Sequence, residues 1–526
     1  MKKRMLLALL TVALPVAVHA QFTYTTNVNG FTVTGYAGAD NAVIIPFSND
    51  GLPVTTVGAS AFANTALTSA TIPDSVICIE SGAFAEDFDL SGIILGTNVS
   101  SIGSSAFHDC LDLTGVALPD SLTNIGDTAF AYSGLTNVII PDNVTMIGEG
   151  AFGFDSFLGQ MTIGTNVTSI GGGAFSDDGV LTSVNIPNSV TSIGDGAFGG
   201  CASLISVNIG TNVISIGDLA FSSDALTNVI IPDSVTSIGT VVFDGCLSLT
   251  QIEVGARNAN YTSLNGVLFD KGMKNLLECP DGIAESSYSI PNTVTNIGDY
   301  AFESCLTLAN VTIPNSVVSI GDWAFARTEL AGITIPDSVV SLGGFVFAYS
   351  GVSSVIIGNG LVTIVSDTFA DCAALTSVTI GDGVKVIEDG AFYDCPNLTS
   401  LYFTGNAPIA DTSIFLQASQ NVTVYYSPGT TGWAEFATKT GASIAPWTFA
   451  NPQILTNGPD FGVQNNMFGF TVSWTTNTPI VVEACSNLAS AFWYPVATNN
   501  LTNGSFYFSE PLQSSTGGRF FRVSSR

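Results

Sequence analysis

The chain contains 526 residues, of which 46% are hydrophobic and only 10% are charged. A chain of this length is too long for one compact core, so we expect several domains or an extended array. Its formal net charge is −30, and no Lys or Arg occurs between Gln21 and Ala256. Proteins bind nucleic acids and anionic lipids by neutralising phosphates with Lys and Arg, so this composition excludes both as partners.

The first twenty residues have the pattern of a secretory signal peptide. Three basic residues at 2–4 precede an apolar run that ends at Val18, and the tripeptide Val-His-Ala at 18–20 places small residues at positions −3 and −1 of a cleavage site. The run is too short for a membrane anchor, and no later apolar stretch could span a bilayer. We therefore predict that residues 1–20 are a signal peptide and that the protein is secreted or at the cell surface, without a transmembrane segment.

A β-hairpin is predicted at the start of the exported chain. The segment FTYTTNVNGFTVTGYAG at 22–38 places Asn29 and Gly30 between two alternating runs, which is a strong hairpin signal. The sequence that follows is repetitive, and a stacked array needs a cap that covers its first core and sheet edge. We predict that residues 21–56 form this cap.

A Phe recurs at a nearly constant spacing through the middle of the chain. The steps are 22 or 23 residues, except for one step of 59 residues between Phe243 and Phe302. An aliphatic residue stands five positions before each Phe, and Gly stands four positions before eleven of the fourteen, which we interpret as a corner with positive φ. Such a period is typical of a solenoid in the leucine-rich repeat range. The repeat Phe residues are Phe62, Phe84, Phe107, Phe130, Phe152, Phe175, Phe198, Phe221, Phe243, Phe302, Phe325, Phe347, Phe369 and Phe392.

Each repeat also contains a short alternating segment. In one copy, Val207 and Ile209 are apolar, whereas Ser206 and Asn208 between them are polar. This alternation predicts a strand with one buried face, and stacked repeats would align these strands in a parallel sheet. Pro-Asn-Ser, Pro-Asp-Ser or Gly-Thr-Asn follows the strand in most copies and predicts a turn.

The repeat resembles a known family. The segment IPDSVTSIGTVVFDGCLSLTQI at 231–252, with its many copies, is similar to the BspA-like, treponemal-type leucine-rich repeat proteins of bacterial surfaces. The resemblance covers residues 57–403 and implies a mainly β leucine-rich repeat solenoid. It also implies adhesion and partner binding at the cell surface, and it brings no catalytic residues.

The long step between Phe243 and Phe302 interrupts the array at 253–286. Asn265-Gly266 predicts a hairpin there. Arg257, Lys271 and Lys274 lie in this segment and are three of only nine basic residues after position 20. Two interpretations remain: a variant, bulged repeat, or a protruding loop in which these three side chains contact a ligand.

The period ends near residue 404. Residues 404–448 resemble the terminal cap of such arrays, and 449–526 contain short alternating strands that predict a small β-sandwich-like module. The module could serve for attachment or sorting, or as a further binding or spacer domain. If the ligand is a glycan, aromatic platforms would come from Tyr402, Tyr425, Tyr426 or Trp433, or from this module.

Few residues could carry chemistry. His108 is the one His after position 20, so neither a His pair for a metal nor a Ser-His-Asp set is available, and we predict no metal, cofactor or catalytic residue. Six Cys stand three positions after a repeat Phe, either as buried thiols or with a bridge between Cys372 and Cys395. Acidic residues recur three positions before Phe, where we expect them to cap turns.

These patterns predict a secreted or cell-surface repeat scaffold for protein binding or adhesion, without enzymatic activity. Its partner would be a protein, an extracellular-matrix or cell-surface ligand, or a glycan. The exposed strand face is small, flat and nearly uncharged, which favours weak and multivalent contacts over one tight pocket. The alternative function is a carbohydrate-binding accessory protein of an extracellular polysaccharide-handling system.

Overall fold

A computed structural model describes residues 21–419, 421–447 and seven segments beyond them. These segments are 453–456, 461–464, 467–473, 479–485, 493–500, 505–511 and 519–525. The predicted signal peptide at 1–20 and several parts of the C-terminal module lie outside the described residues. The chain divides into two compact units: the first holds residues up to Leu249 together with Glu253–Asn260, and the second holds Thr250–Ile252 and the chain from Tyr261 onward.

Each repeat contributes a two-residue strand that ends on the aliphatic residue five positions before Phe. Equivalent residues pair in parallel, as Ser169 with Ser192 and Ile170 with Ile193. In the first unit these strands are Cys78–Ile79, Ser101–Ile102, Asn124–Ile125, Met146–Ile147, Ser169–Ile170, Ser192–Ile193, Ser215–Ile216 and Ser237–Ile238. In the second unit they are Asn296–Ile297, Ser319–Ile320, Ser341–Leu342, Thr363–Ile364 and Val386–Ile387.

The alternating segment forms a second strand of three or four residues in every repeat except that of Phe107. In Ser183–Asn185 the central Val184 is buried and its two neighbours are exposed, as the alternation predicts. The set up to residue 254 is Ser69–Thr71, Gly92–Ile94, Asn137–Ile139, Gln160–Thr162, Ser183–Asn185, Ser206–Asn208, Asn228–Ile231 and Gln251–Val254. The set beyond it is Ser287–Ser289, Asn310–Thr312, Gly332–Ile335, Ser354–Ile357, Ser377–Ile380, Ser400–Phe403, Thr423–Tyr426 and Ser443–Pro446. The prediction of a mainly β solenoid of parallel strands is confirmed.

The first repeat is covered by an antiparallel hairpin of Phe22–Asn27 and Gly30–Tyr36. Its second strand pairs in parallel with Leu52–Val57, which continues into the sheet of two-residue strands. The ring of Phe22 contacts Phe62 edge-on, with centroids 6.4 Å apart, and so closes the end of the Phe column. The remaining strands here are Ala42–Ile44 and Ser48–Asn49.

The repeat Phe side chains form the centre of the core. Phe198 is fully buried, and its ring stacks on those of Phe175 and Phe221 with centroids 5.4 Å apart on both sides. The Gly four positions before Phe lets neighbouring repeats come close enough for this stacking. Our expectation of a positive φ at this Gly is wrong. A Cβ on Gly126 would lie 2.5 Å from the backbone nitrogen of Ser104 in the preceding repeat. Close approach of neighbouring backbones therefore favours Gly at this position in eleven of the fourteen repeats. The left-handed residues stand two positions before and after each Phe instead.

The position three residues after Phe is a buried polar column. All nine Cys are free thiols, so the structure contains no bridge between Cys372 and Cys395. The Cys372 thiol donates to the carbonyl oxygen of Phe347 at 2.9 Å, and the Cys395 thiol donates to that of Phe369 at 3.0 Å. Each Cys in these repeats thus bonds the backbone of the repeat before it.

The acidic residues three positions before Phe also join neighbouring repeats. The Asp195 carboxylate accepts the backbone N–H of Asp218 at 2.9 Å, and Asp218 in turn accepts that of Thr240 at 2.7 Å. We expected these side chains to cap turns. Their role is structural, but the bonds run between repeats because equivalent backbone groups stack at the same corner.

The interruption of the array forms three strands, Tyr261–Leu264, Val267–Asp270 and Asn275–Glu278. The first two form an antiparallel hairpin around Asn265-Gly266, and the third pairs in parallel with Asn296–Ile297 of the next repeat. All three side chains from Val267 to Phe269 are fully buried. The segment therefore has the packing of a variant repeat, and its polar turns reach the surface.

The array ends in a short 3₁₀ helix, Thr412–Phe415, and in the α-helix Trp433–Thr440. Gly432 and Gly441 bound the α-helix with φ of 91° and 74°, which only Gly adopts easily. Phe436 and Trp433 are buried against Phe403, with ring centroids 6.0 and 5.1 Å from it. This contact closes the last repeat.

The described residues of the C-terminal module form two antiparallel sheets, as predicted. One pairs Met467–Ser473 with Ser505–Pro511, Gln453–Leu455 and Gly462–Gln464. The other pairs Pro479–Cys485 with Tyr494–Asn500 and Phe520–Ser525. Side chains from both sheets share a small core that includes Phe470, Val472, Ile480, Val482 and Phe508.

Candidate binding surface

The exposed side of the longer strands in the second unit is a regular surface of six strands. Between Gly332–Ile335 and Ser443–Pro446 the strands pair in continuous parallel register. Buried residues such as Val355 and Val378 hold the inner side, and small polar side chains alternate with them on the outside. We call this outer side the strand face.

Aromatic rings stand at one end of the strand face. Tyr402 and Tyr425 are register partners, and their rings stack with centroids 5.0 Å apart. The Trp447 ring lies 5.0 Å from that of Tyr402, tilted by 42°. All three side chains are partly exposed. We call Tyr402, Tyr425 and Trp447 the aromatic cluster.

A shallow groove lies on the same face, toward the interruption. Its volume is about 680 Å³, and Thr456 of the C-terminal module contributes to its wall. The lining includes the outward side chains of the neighbouring strands: Asn310, Thr312, Thr334, Ser354 and Ile356. Hydroxyl and amide groups on a fixed sheet can donate and accept hydrogen bonds along an extended ligand. The one charged residue of the lining is Asp337, which follows the strand Gly332–Ile335.

The other two aromatic candidates lie on the inner side of the cap. Trp433 is only 4% exposed, and its ring stacks on that of Tyr426 at 5.2 Å. The Trp433 indole N–H donates to the Thr430 hydroxyl at 2.8 Å. Tyr402 and Tyr425 therefore share the solvent-facing surface, whereas Tyr426 and Trp433 pack against the cap core.

The basic candidates of the interruption are surface residues. Arg257 belongs to the first unit, and its backbone N–H donates to the Asp233 carboxylate at 2.9 Å. Lys271 and Lys274 are exposed in the second unit, in the turn between two strands. The Lys274 backbone N–H donates to the Asp270 carboxylate at 2.7 Å, which leaves its ammonium group at the surface. These residues remain candidates for ligand contact.

Sequence reasoning missed Trp447. It follows the last strand, outside the repeat period, so no column of equivalent residues points to it. Its backbone N–H donates to the carbonyl of Tyr426 at 2.7 Å, which brings the ring to Tyr402. An aromatic residue directly after the final alternating segment was the available signal.

The side chains that could bind a metal ion are dispersed in the part of the chain that the structure describes. No group of three or more His, Cys, Asp and Glu side chains there is placed to hold a metal ion. His108 Nδ1 lies 2.9 Å from a carboxylate oxygen of Asp109, and its ring lies 5.5 Å from that of Tyr132. Within the same described residues, no helix has both the length and the apolar character needed to cross a membrane.

Comparison with known proteins identifies the repeat. A family model described as BspA type Leucine rich repeat region matches residues 55–180, 170–278, 282–399 and 340–445, with six copies. The chain belongs to the BspA type leucine-rich repeat family. The resemblance noted from the sequence is thus confirmed. A separate comparison with curated proteins found no match to this chain.

Solved structures include similar leucine-rich repeat proteins. A leucine rich cell surface protein from Faecalibacterium prausnitzii is 26% identical, with 80% of this chain and 96% of that chain covered and a TM-score of 0.47. A leucine-rich repeat protein from Bacteroides ovatus is 25% identical, with 73% of this chain and 93% of that chain covered and a TM-score of 0.52. The T. pallidum leucine rich repeat protein is 29% identical, with 44% of this chain and 88% of that chain covered and a TM-score of 0.32.

Proposed function

We propose that this BspA-type protein is an exported, non-enzymatic scaffold that binds a protein or extracellular-matrix ligand through its strand face. The observation that carries the proposal is the aromatic cluster together with the polar groove, whose walls include the strands Gly332–Ile335 and Ser354–Ile357 of the same sheet. The Faecalibacterium relative is a cell surface protein by name, and the pattern at residues 2–20 supports export of this chain.

The physical basis is a rigid surface with a few anchoring rings. Parallel strands fix the outward side chains, so little conformational entropy is lost when a ligand binds. Tyr and Trp are the residue types that contribute most to binding energy at interfaces, and the aromatic cluster supplies both. The remaining face offers weak contacts that become strong when many copies act together.

The aromatic cluster also favours the carbohydrate-binding alternative. Aromatic rings with a few nearby hydroxyl and amide groups form typical sites for small ligands. On this account the sugar would lie on the outer rings, and Ser and Thr side chains of the strand face would bond its hydroxyl groups.

A double variant, Tyr402→Thr with Tyr425→Thr, tests the strand face. Thr is the residue of the same column at 334 and 379, so the sheet should tolerate it. Binding of the full chain to immobilised extracellular-matrix proteins and to a glycan array should weaken by about tenfold or more, as expected for loss of two anchoring rings. The class of probe that loses signal decides between the two functions.

Tyr132→Asn serves as the matched control. Tyr132 is an exposed aromatic residue of the first unit, in a left-handed position that suits Asn. This variant should bind as the wild type does, and thermal unfolding should show that all variants are folded. Unchanged binding by the Tyr402 and Tyr425 variant would overturn the proposal.

A further inference from the structure

A second group of aromatic residues lies on the turn side of the array in the second unit. Tyr300, Trp323 and Phe345 stand two positions before the Phe of three successive repeats, and Tyr349 stands two positions after the third. The Trp323 ring is stacked 4.6 Å from Phe345, 6.5 Å from Tyr300 and 6.4 Å from Tyr349. All four are at least partly exposed. We call these four residues the aromatic ladder.

The backbone of the aromatic ladder is left-handed at every member. The φ angles lie between 56° and 59°, a region that disfavours any residue with a Cβ. The first unit places Gly150, Gly173 and Gly196 in the same column. Leu219 and Val241 also occupy it, so bulk is tolerated there, but those two make no aromatic stack. Because the repeat Phe residues fill the core without them, packing does not require aromatic rings at these positions.

A cation of the protein itself already lies on the aromatic ladder. The Arg327 guanidinium carbon is 5.9 Å from the centroid of Tyr349, within the range of a cation–π contact. One of its nitrogens bonds the Glu303 carboxylate at 2.9 Å. This site shows how an aromatic face and a carboxylate hold a positive charge together here.

Carboxylates surround the rings. Asp299 and Asp322 directly precede Tyr300 and Trp323, and residues 299–394 contain eleven Asp and Glu against Arg327 and Lys385. The charge of Asp371, together with its hydrogen bond to the hydroxyl group, raises the pKa of Tyr349. The local potential is therefore negative where the aromatic edges and faces reach solvent.

We propose that the aromatic ladder binds a Lys- or Arg-rich segment of a partner protein. The cationic side chains lie against the rings, and the neighbouring carboxylates neutralise them. Once the predicted signal peptide with its basic residues at 2–4 is removed, a second copy of this chain cannot supply the segment, because Lys and Arg are absent from 21–256 and sparse beyond it. The proposal is independent of the strand face.

The test measures binding of a fluorescent oligolysine peptide to the full chain by anisotropy. The variant Trp323→Gly with Phe345→Gly introduces the residue type that several repeats of the first unit have in this column and removes backbone strain, so it should fold at least as well as the wild type. We expect its affinity for the peptide to fall by about tenfold or more, and an uncharged peptide of equal length should not bind the wild type.

Three controls make the outcome specific. Leu219→Gly with Val241→Gly changes the same column in the first unit and should leave affinity unchanged. Tyr132→Asn with Phe154→Gly removes a shorter stack of two rings, whose centroids are 4.6 Å apart, and should have less effect. The Tyr402→Thr and Tyr425→Thr variant should bind the peptide normally, so this proposal and the proposed function can fail separately. Equal losses in the Trp323 and Tyr132 variants, or no loss in the former, would overturn the proposal.

Discussion

The repeat Phe is the residue on which each repeat depends. Phe198 lies between two stacked rings and is fully buried, so its removal leaves a cavity that the rigid neighbouring repeats cannot close. We expect Phe198→Ala to lower the free energy of unfolding by about 3–5 kcal/mol. Chemical denaturation measures this loss. Phe157→Ala, at a side chain that is 64% exposed, is the matched control and should change stability by less than about 1 kcal/mol. Similar small effects in both variants would contradict the assignment of Phe198 to the core.

Residue types at fixed spacing predicted the core well, but they did not reveal backbone angles. The Phe and the aliphatic residue before it are constant because their side chains must fill one kind of space. The left-handed positions beside Phe carry residues as different as Trp323, Asp371 and Gly196, so no residue type marks them. For the same reason the aromatic ladder was missed, although three aromatic residues at one repeat position were visible in the sequence.

At the scale of elements, the buried polar column has a different composition in the two units. Its members in the first unit include Asp155 and Asp178, which are fully buried. One Asp155 oxygen accepts the backbone N–H of Ser133 at 2.6 Å, and one Asp178 oxygen accepts that of Asp155 at 3.0 Å. Burial raises the pKa of Asp155 to about 8, and burial followed by the charge of Asp155 raises that of Asp178 well above its usual range. In the second unit, neutral Cys, Ser and Thr side chains take these positions: Cys305, Thr328, Ser350, Cys372 and Cys395.

Stability of the first unit should therefore fall as the pH rises. The pKa of these carboxyls is raised in the folded state, so their stabilising contribution is complete below the unfolded value near 4 and is lost through about 8. In that pH window, ionisation of each buried carboxyl lowers the free energy of unfolding by up to about 1.4 kcal/mol per pH unit. All five Trp belong to the second unit, so far-UV circular dichroism reports both units while Trp fluorescence reports the second. At about pH 9, heating should reduce the circular dichroism signal before the fluorescence changes.

The variant Asp155→Asn with Asp178→Asn is the control for this effect. Asn retains an oxygen that accepts the backbone N–H but cannot ionise. At about pH 9, the melting curves from circular dichroism and from Trp fluorescence should lie closer together in this variant than in the wild type. Its stability should also vary less between about pH 5 and pH 9. A wild type whose melting temperature rises over this range would refute the assignment.

Elements were predicted best where they repeat. Fourteen copies of one spacing identify the alternating strand and the turn after it, because each copy must match its neighbours. The helix Trp433–Thr440 occurs once, is eight residues long and draws its stability from packing against Phe403, so no period indicates it. In the interruption, Asn265-Gly266 predicted the hairpin, but the burial of Val267–Phe269 depends on contacts that the sequence pattern does not show.

At the scale of the whole molecule, the core is constant and the surface varies from repeat to repeat. Mutations on the strand face and the aromatic ladder can therefore alter binding without unfolding the array. The sequence was sufficient to predict the family, the parallel repeats and Tyr402 and Tyr425 as candidate contacts. It was insufficient to separate them from Tyr426 and Trp433. Tyr426 points to the other side of the sheet from its neighbour Tyr425, and Trp433 is buried by a helix that no repeat pattern indicates.

Adhesion under flow tests most directly whether the protein acts by multivalent binding. Beads coated densely with the full chain are passed over the matrix protein or glycan that gives the strongest signal in the binding panel. We predict firm retention of wild-type beads, weak binding of the same chain in solution, and loss of retention with Tyr402→Thr and Tyr425→Thr, because many weak contacts add on a surface. Retention equal to that of uncoated beads, or retention that this double variant leaves unchanged, would contradict a binding scaffold that acts through its strand face.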